Sequence, residues 1–281
     1  MLPEIFIAGS SYSTYHLALL AAMAIGWFAF LLTENDLKNQ ANLPQRLRAL
    51  AVSTFAYVIL MLVCLQGATY FHFLFDIIPE GRRVNMTWPS MLLTNPVTSA
   101  KVLYGAIFFY PIGVLLISAN HLQDKFFPYL NGKIFILFLT MGVNRVGCFL
   151  NGCCFGIRSE LLGIRFPSNS VAAYEHWTRG LTPGSFHPPA SLPVVPTQMI
   201  EAMFLFILSF FSWRAARNGK QDVFVRFVLF YAIFRFCLEF IRDDHERAYW
   251  MALSASQWLS LFIIFFYGAY RFLGKKIQNH G

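Results

Sequence analysis

Apolar residues in this chain follow neither a helix-face period nor strand alternation; they come in long unbroken runs. Seven runs, near residues 13–32, 50–73, 102–119, 134–152, 197–213, 224–241 and 252–270, approach the length of about 20 residues that crosses roughly 30 Å of hydrocarbon. Lipid offers a spanning backbone no hydrogen-bond partners, so each run is predicted to be α-helical. The composition agrees, with 57% hydrophobic and 13% charged residues among 281. The chain therefore reads as an all-α integral membrane protein with seven transmembrane helices, one polytopic domain over residues 1–281.

Charge sets the expected orientation. No Lys or Arg precedes Lys38, so the first run lacks the basic region of a cleavable signal and is expected to stay as a helix. Lys38, Arg46, Arg48, Lys125, Lys133, Arg214, Arg217, Lys220, Arg226, Arg271, Lys275 and Lys276 fall on one set of connections, with Glu34, Asp36, Asp124 and Asp222, a net +8. On the opposite set, Arg82, Arg83, Lys101, Arg158, Arg165, Arg179, Arg242 and Arg247 are balanced by eight carboxylates. The basic side is expected to be cytoplasmic, with the N-terminus outside and the C-terminus inside, and to favour anionic lipid. These cations flank helices and form no separate basic domain, which argues against nucleic acid as a partner.

Two outer stretches exceed simple connectors. Residues 74–100 contain Pro79, Trp88, Pro89 and Pro96, and residues 153–196 contain six prolines with Tyr174, Trp177 and Phe186. Aromatics are atypical of disorder, so residues 153–196 are expected to form an ordered periplasmic head over the membrane.

The most unusual stretch is Gly142 to Gly156, which sets an arginine, two asparagines, three cysteines and four glycines at the end of an apolar run. Arg145 lies about 11 residues, roughly 17 Å, beyond Ile134 at 1.5 Å per residue. Arg235, with Glu239 one turn beyond it, sits at a similar depth, as do Gln198, Glu201, Tyr15 and Tyr104 near outer helix ends. A lone arginine can snorkel outward. Two arginines and two glutamates facing lipid would cost on the order of 10 kcal/mol, so one shared polar cavity is expected. Guanidinium forks suit phosphate, which makes a phospholipid the natural ligand. Arg235 and Glu239 are also spaced as an ion pair. Gly147, Gly152 and Gly156 admit either a headgroup or a close helix contact.

Several segments together resemble one family. Arg145-Val146-Gly147-Cys148-Phe149-Leu150-Asn151-Gly152 is similar to the GRIGNFINGE signature of the prolipoprotein diacylglyceryl transferases, with Gly156 at the glycine that follows. Residues 234–242 resemble the family's FRFxxEFxR helix, residues 196–202 its HPSQLYEA segment, and residues 256–260 its GQxLS opening. The resemblance implies seven helices with the N-terminus outside, in a bacterial cytoplasmic membrane. It implies transfer of the diacylglyceryl group of phosphatidylglycerol to the cysteine thiol of a lipoprotein signal peptide, with glycerol phosphate released. Arg145 and Arg235 would hold the departing phosphate, with Tyr104 as a further candidate catalytic residue. Tyr15, Asn151, Gly152, Gln198, Glu201 and Glu239 would bind substrate. No metal or other cofactor is implied, the sequence suggests no ligand cluster, and the protein is expected to act as a monomer.

Departures from the family pattern bear on the chemistry. Tyr104 stands where the family has the His of a His-Gly-Gly turn, and Val195 where it has the His of HPSQ. Cys148 and Cys153 occupy signature Asn and Glu positions, and Ile200 the Tyr of LYEA. Tyrosine, with a pKa near 10, is a poor base; His187 or His16 are substitutes. Adjacent Cys153 and Cys154 lack CxxC spacing and read as packing residues, with thiol chemistry as the rival. Cys64, Cys148 and Cys237 read as inert, and His176, His187 and His245 as solvated. The alternative function is phospholipid binding or transport without transfer.

Overall fold

The computed structural model describes residues 4–7, 10–34, 42–72, 74, 103–118, 122–182, 186–244 and 249–278. The outer stretch 74–100, apart from residue 74, lies outside them, as do Lys38, Lys101, His245 and Arg247. The described chain is mostly helical: α1 (Thr14–Leu32), α2 (Leu43–His72), α3 (Leu103–Ile117), α4 (Leu122–Asn151), α5 (Val171–Thr178), α6 (Thr197–Arg217), α7 (Val223–Leu238) and α8 (Ala255–Gln278). Each apolar run carries a helix. Four helical stretches, Thr14–Leu32, Leu43–His72, Phe126–Asn151 and Thr197–Arg217, are long and apolar enough to cross a membrane; Leu103–Ile117 and Ala255–Ala269 are shorter apolar helices.

Two small hairpins qualify the all-helical expectation. Strands β1 (Glu4–Ile7) and β2 (Ser10–Ser13) pair antiparallel, as do β3 (Tyr249–Trp250) and β4 (Leu253–Ser254). Such strands are too short to leave a hydropathy signal. Helices α2 and α4 start before their apolar runs, at Leu43 and Leu122, because a helix continues past the hydrocarbon boundary where hydropathy ends. The start of α8 is chemically specified: the Gln257 amide donates to Ser254 Oγ (3.3 Å), and the Ser254 amide to Gln257 Oε1 (2.9 Å). This reciprocal pair satisfies two orphan donors of the first turn.

α4 is the central element, packed against α1, α3, α6 and α7, while α2 pairs with α3 and α7 with α8. Small residues set the close approaches. A methyl on Gly105 of α3 would overlap the backbone carbonyl of Gly67 on α2, and one on Gly147 of α4 would lie 2.5 Å from Ala18 Cβ of α1. Outward positions carry large apolar groups, among them Phe28 on α1, Phe55 on α2, Phe210 on α6 and Phe265 on α8, a surface suited to lipid.

At one end of the bundle Glu34 and Lys133, both expected in connections, are instead buried together. Lys133 Nζ lies 2.8 Å from Glu34 Oε1, and the Tyr129 hydroxyl donates to the same carboxylate at 2.9 Å. The ammonium also sits 4.5 Å from the Phe30 ring centroid, so aromatic faces replace part of its hydration.

Residues 153–182 and 186–196, the described part of the stretch expected to form a head, fold around a small core of their own. That core is Phe155, Phe166, Ala172 and Val194, and α5 is capped by Ser170 Oγ, which accepts from the Ala173 amide. The head is tied to the segment after α7 by the Ile157 amide on the Ile241 carbonyl (2.9 Å) and the Asp243 amide on the Phe155 carbonyl (3.2 Å). His176, expected to be solvated, is only 2% exposed, and its Nδ1 accepts from the Leu192 amide at 3.1 Å. Burial, with Arg179 nearby, lowers its pKa and keeps it neutral, leaving Nδ1 free to accept.

Two outcomes follow. Gly105→Val is expected to destabilise the protein by about 2 kcal/mol in thermal melts through overpacking, whereas Gly132→Ala, where nothing lies within 4 Å, changes stability by less than about 1 kcal/mol. Since the folded state depresses the pKa of His176, its contribution is complete above the unfolded value of 6.5 and is lost as pH falls below it. The protection factor of the Leu192 amide, its exchange rate compared with the intrinsic rate at the same pH, should therefore fall as pH drops below 6.5, and His176→Gln should remove that pH dependence.

Candidate active site

Three helices deliver the buried charges. Arg145 lies on α4 nearly two turns before its end, Glu201 on the second turn of α6, and Arg235 on the last turn of α7. All are at least nine-tenths buried. Glu201 is the meeting point: its Oε2 lies 2.8 Å from Arg145 Nε and 3.1 Å from Arg235 Nη1, while its Oε1 accepts from the Tyr231 hydroxyl at 2.8 Å. Arg235 Nη2 also lies 2.8 Å from Glu239 Oε2, the predicted ion pair, and donates to Ser256 Oγ at 3.4 Å. Glu239 in turn faces Arg242, 3.7 Å away, which is held bidentately by Asp244 at 3.0 and 2.7 Å.

The arginines are unequally committed. Arg235 spends its terminal nitrogens on two carboxylates and a hydroxyl. The Arg145 Nε contact with Glu201 is close but lacks hydrogen-bond alignment, and Nη1 points at Cys148 Sγ, a weak acceptor 3.8 Å away. Among the described residues Arg145 Nη2 has no hydrogen-bond partner. Arg145 thus keeps donors uncommitted among the described residues.

The other predicted residues spread around this centre. Gln198 is buried one turn before Glu201; its Nε2 donates to the Cys153 carbonyl at 2.5 Å, while its Oε1 is buried with no donor among the described residues. Tyr104 is buried with its hydroxyl 2.6 Å from Ser260 Oγ and its ring edge-on to Tyr231, one side chain removed from Glu201. Tyr15 lies in the first turn of α1, its Cα 3.6 Å from where a Gly147 Cβ would be. Asn151 is the last residue of α4. Gly152 has a φ of +74°, a conformation glycine adopts without strain, and a side chain there would meet Phe166 and Ser170. Its carbonyl accepts from the Ala172 amide, so it turns the chain into the head.

Sequence reasoning missed three contributors. Tyr231 carries a signal in retrospect, one turn before Arg235 on the same face. Arg242 was counted as a loop charge yet is buried. Cys148, read as inert, instead belongs to a cluster in which the sulfurs of Cys148, Cys153 and Cys154 lie within 4.8 Å of one another. Of the substitute bases, His187 is exposed on the head and His16 lies beside Tyr15. Val195, at the family's histidine position, offers only backbone: its carbonyl accepts from the Gly156 amide at 2.8 Å.

Two arginines buried on one carboxylate give this apolar helical bundle a compact charged centre. The family model for prolipoprotein diacylglyceryl transferase matches residues 3–272. The chain is 32% identical to phosphatidylglycerol–prolipoprotein diacylglyceryl transferase 2 of Clostridium perfringens over 71% of its own length and 73% of the relative's. It is 33% identical to the similarly named protein of Clostridium tetani over 58% and 59%, and 27% identical to that of Pseudomonas fluorescens over 61% and 60%. The chain belongs to the prolipoprotein diacylglyceryl transferase family and is a membrane transferase.

Replacing Glu201 with Gln removes the charge that compensates both guanidiniums. Loss of one partner from a buried ionic set is expected to destabilise by about 3 kcal/mol. A thermal melt in detergent checks this, and the loss should shrink when Arg145→Met is added.

Proposed function

We propose that this protein transfers the diacylglyceryl group of phosphatidylglycerol to the cysteine thiol of a prolipoprotein signal peptide; its relatives are named as phosphatidylglycerol–prolipoprotein diacylglyceryl transferases, and the thiol acceptor is our own reading. The observation that carries the reading is the convergence of Arg145 and Arg235 on Glu201, with Arg145 holding donors in reserve. In the reaction the cysteine sulfur attacks the glyceryl carbon bearing the phosphoester oxygen. The S–C bond forms, the C–O bond breaks, and its electron pair leaves on the oxygen of glycerol phosphate. The thiol proton passes to solvent or the leaving phosphate. Negative charge grows on that phosphate, and preorganised guanidiniums stabilise it as it develops. Arg145 is the contact to the phosphate, and Arg235 sets the position of Glu201, Glu239 and, through them, of Arg145.

The buried, undonated Gln198 Oε1 suits a glycerol hydroxyl of the headgroup, a group phosphatidylglycerol carries and phosphatidic acid lacks. Asn151, Gly152, Tyr15 and Tyr104 border the path of the lipid, and Glu201 and Glu239 orient the arginines. The chain is read as one polytopic domain over residues 1–281 of a bacterial cytoplasmic membrane. It crosses seven times, with the N-terminus and the 153–196 head on the periplasmic side and the C-terminus in the cytoplasm. It acts as a monomer with no nucleic acid partner, and its partners are the phospholipid and the lipoprotein signal peptide. The second reading, lipid binding without transfer, is favoured by Tyr104 and Val195, which replace two histidines of the family pattern.

Purified protein given labelled phosphatidylglycerol and a lipobox peptide is expected to yield a thioether product; bound lipid without product supports the second reading. Arg145→Ala should lower turnover by about 100-fold or more with the fold intact, and Arg145→Lys should not restore it, because an ammonium lacks the planar fork.

A further inference from the structure

The three clustered thiols lie beside the arginine–carboxylate centre, with Cys148 Sγ the partner of Arg145 Nη1, yet the proposed transfer gives them no role. Cys148 lies on the last turn of α4, and Cys153 and Cys154 follow the helix, so bringing all three sulfurs within 4.8 Å requires the chain to fold back on itself. It does so through Gly152 at a φ of +74°, which lets the Cys153 amide reach the Cys148 carbonyl at 3.2 Å, and then through Cys154 at a φ of +61°, a left-handed conformation unfavourable for any residue with a Cβ. Strain of this kind persists only where the surroundings enforce it. Here the Thr197 hydroxyl donates to the Cys154 carbonyl at 2.6 Å, and Gln198 to the Cys153 carbonyl. The first turn of α6, one turn before Glu201, therefore holds the thiol turn in place.

We propose that Cys148, Cys153 and Cys154 bind one Zn2+ ion, whose open fourth position takes the acceptor thiol of the substrate. This deepens the transferase reading above and rests on it for the identity of the fourth ligand. Three protein ligands with one position left open is the arrangement of catalytic zinc, and thiolates are ligands zinc favours. A Zn–S bond of about 2.3 Å sets tetrahedral sulfurs about 3.8 Å apart, so the cluster needs only to contract slightly. Three thiolates on Zn2+ leave a charge of −1, and the Arg145 guanidinium, 3.8 Å from Cys148 Sγ, offsets it. The two carbonyl hydrogen bonds from Thr197 and Gln198 fix the ligand turn, the kind of outer support that metal ligands require.

The site answers the departure that the sequence leaves open. With Tyr104 and Val195 at the histidine positions of the family pattern, neither position supplies an imidazole base for the acceptor cysteine. Zinc removes the need for one, since a coordinating thiol is deprotonated outright. The steps balance: the acceptor S–H loses its proton to solvent as the Zn–S bond forms. The coordinated sulfur then gives a lone pair to the glyceryl carbon, the C–O pair leaves with glycerol phosphate, and the neutral thioether dissociates from the metal. The same cation beside Arg145 adds to the field acting on the departing phosphate.

The full chain, purified under reducing conditions in detergent, is titrated with Co2+ as a spectroscopic stand-in for Zn2+, and its zinc content is measured separately. The expected result is one metal per chain with thiolate-to-cobalt charge-transfer absorption, and loss of affinity on the order of 100-fold in Cys153→Ser. A Cys64→Ala/Cys237→Ala double variant should bind as the parent does. Adding a lipobox peptide should shift the cobalt bands, and the same peptide with serine in place of cysteine should not. Absence of stoichiometric metal, or equal binding by a Cys148→Ser/Cys153→Ser/Cys154→Ser variant, overturns the proposal. So does an intramolecular disulfide among these residues in the purified active protein. Thioether formation at an undiminished rate in the triple variant would sink the zinc site while leaving the transferase reading intact. Metal binding with no cobalt shift and no product would uphold a three-cysteine metal site but overturn its acceptor-binding role together with that reading.

Discussion

A single carboxylate, that of Glu201, makes the rest of this site possible. An isolated guanidinium in a water-poor interior carries a desolvation penalty of several kcal/mol, and this chain buries two of them side by side. Glu201 accepts contacts from both on one oxygen and anchors the other oxygen on Tyr231. Helices α4, α6 and α7 are thereby tied at one point by charge as well as by packing. The arrangement leaves the arginines short of full compensation, because Arg235 has a second carboxylate in Glu239 and Arg145 does not. That imbalance is what the proposed role of Arg145 toward a phosphate rests on.

The helices were legible because lipid as solvent forces long apolar runs, and all seven runs carry them. Their ends were not, since hydropathy reports hydrocarbon rather than hydrogen bonding: α2 and α4 extend well past their runs. The same limitation misplaced charges. Glu34 with Lys133, and Arg242 with Asp244, sit in sequence where connections are expected, and only tertiary pairing reveals them as buried couples. His176 was assigned to solvent for lack of any local signal that the Phe155 and Phe166 core would fold over it.

The polar centre was legible for a complementary reason: arginine and glutamate inside apolar runs are costly enough to demand partners. Arg145, Arg235, Glu201 and Glu239 do come together. Which carboxylate would serve which arginine was beyond the sequence, since Glu201 reaches both from a different helix. The thiol cluster was hidden further, because it depends on a left-handed residue at Cys154 and on hydrogen bonds from α6. Adjacent cysteines advertise neither. Tyr104 and Val195 show the converse: they are easily read as departures from a pattern, but only the structure reveals that one is hydrogen-bonded to Ser260 and the other contributes backbone alone.

Selective lipid retention tests the central claim, that these arginines hold an anionic headgroup, most directly. Native mass spectrometry of the protein in mixed phosphatidylglycerol and phosphatidylcholine should find phosphatidylglycerol retained preferentially by the parent, with the preference abolished in Arg145→Gln. Equal retention of both lipids by the parent, or an undiminished preference in the variant, would contradict the account.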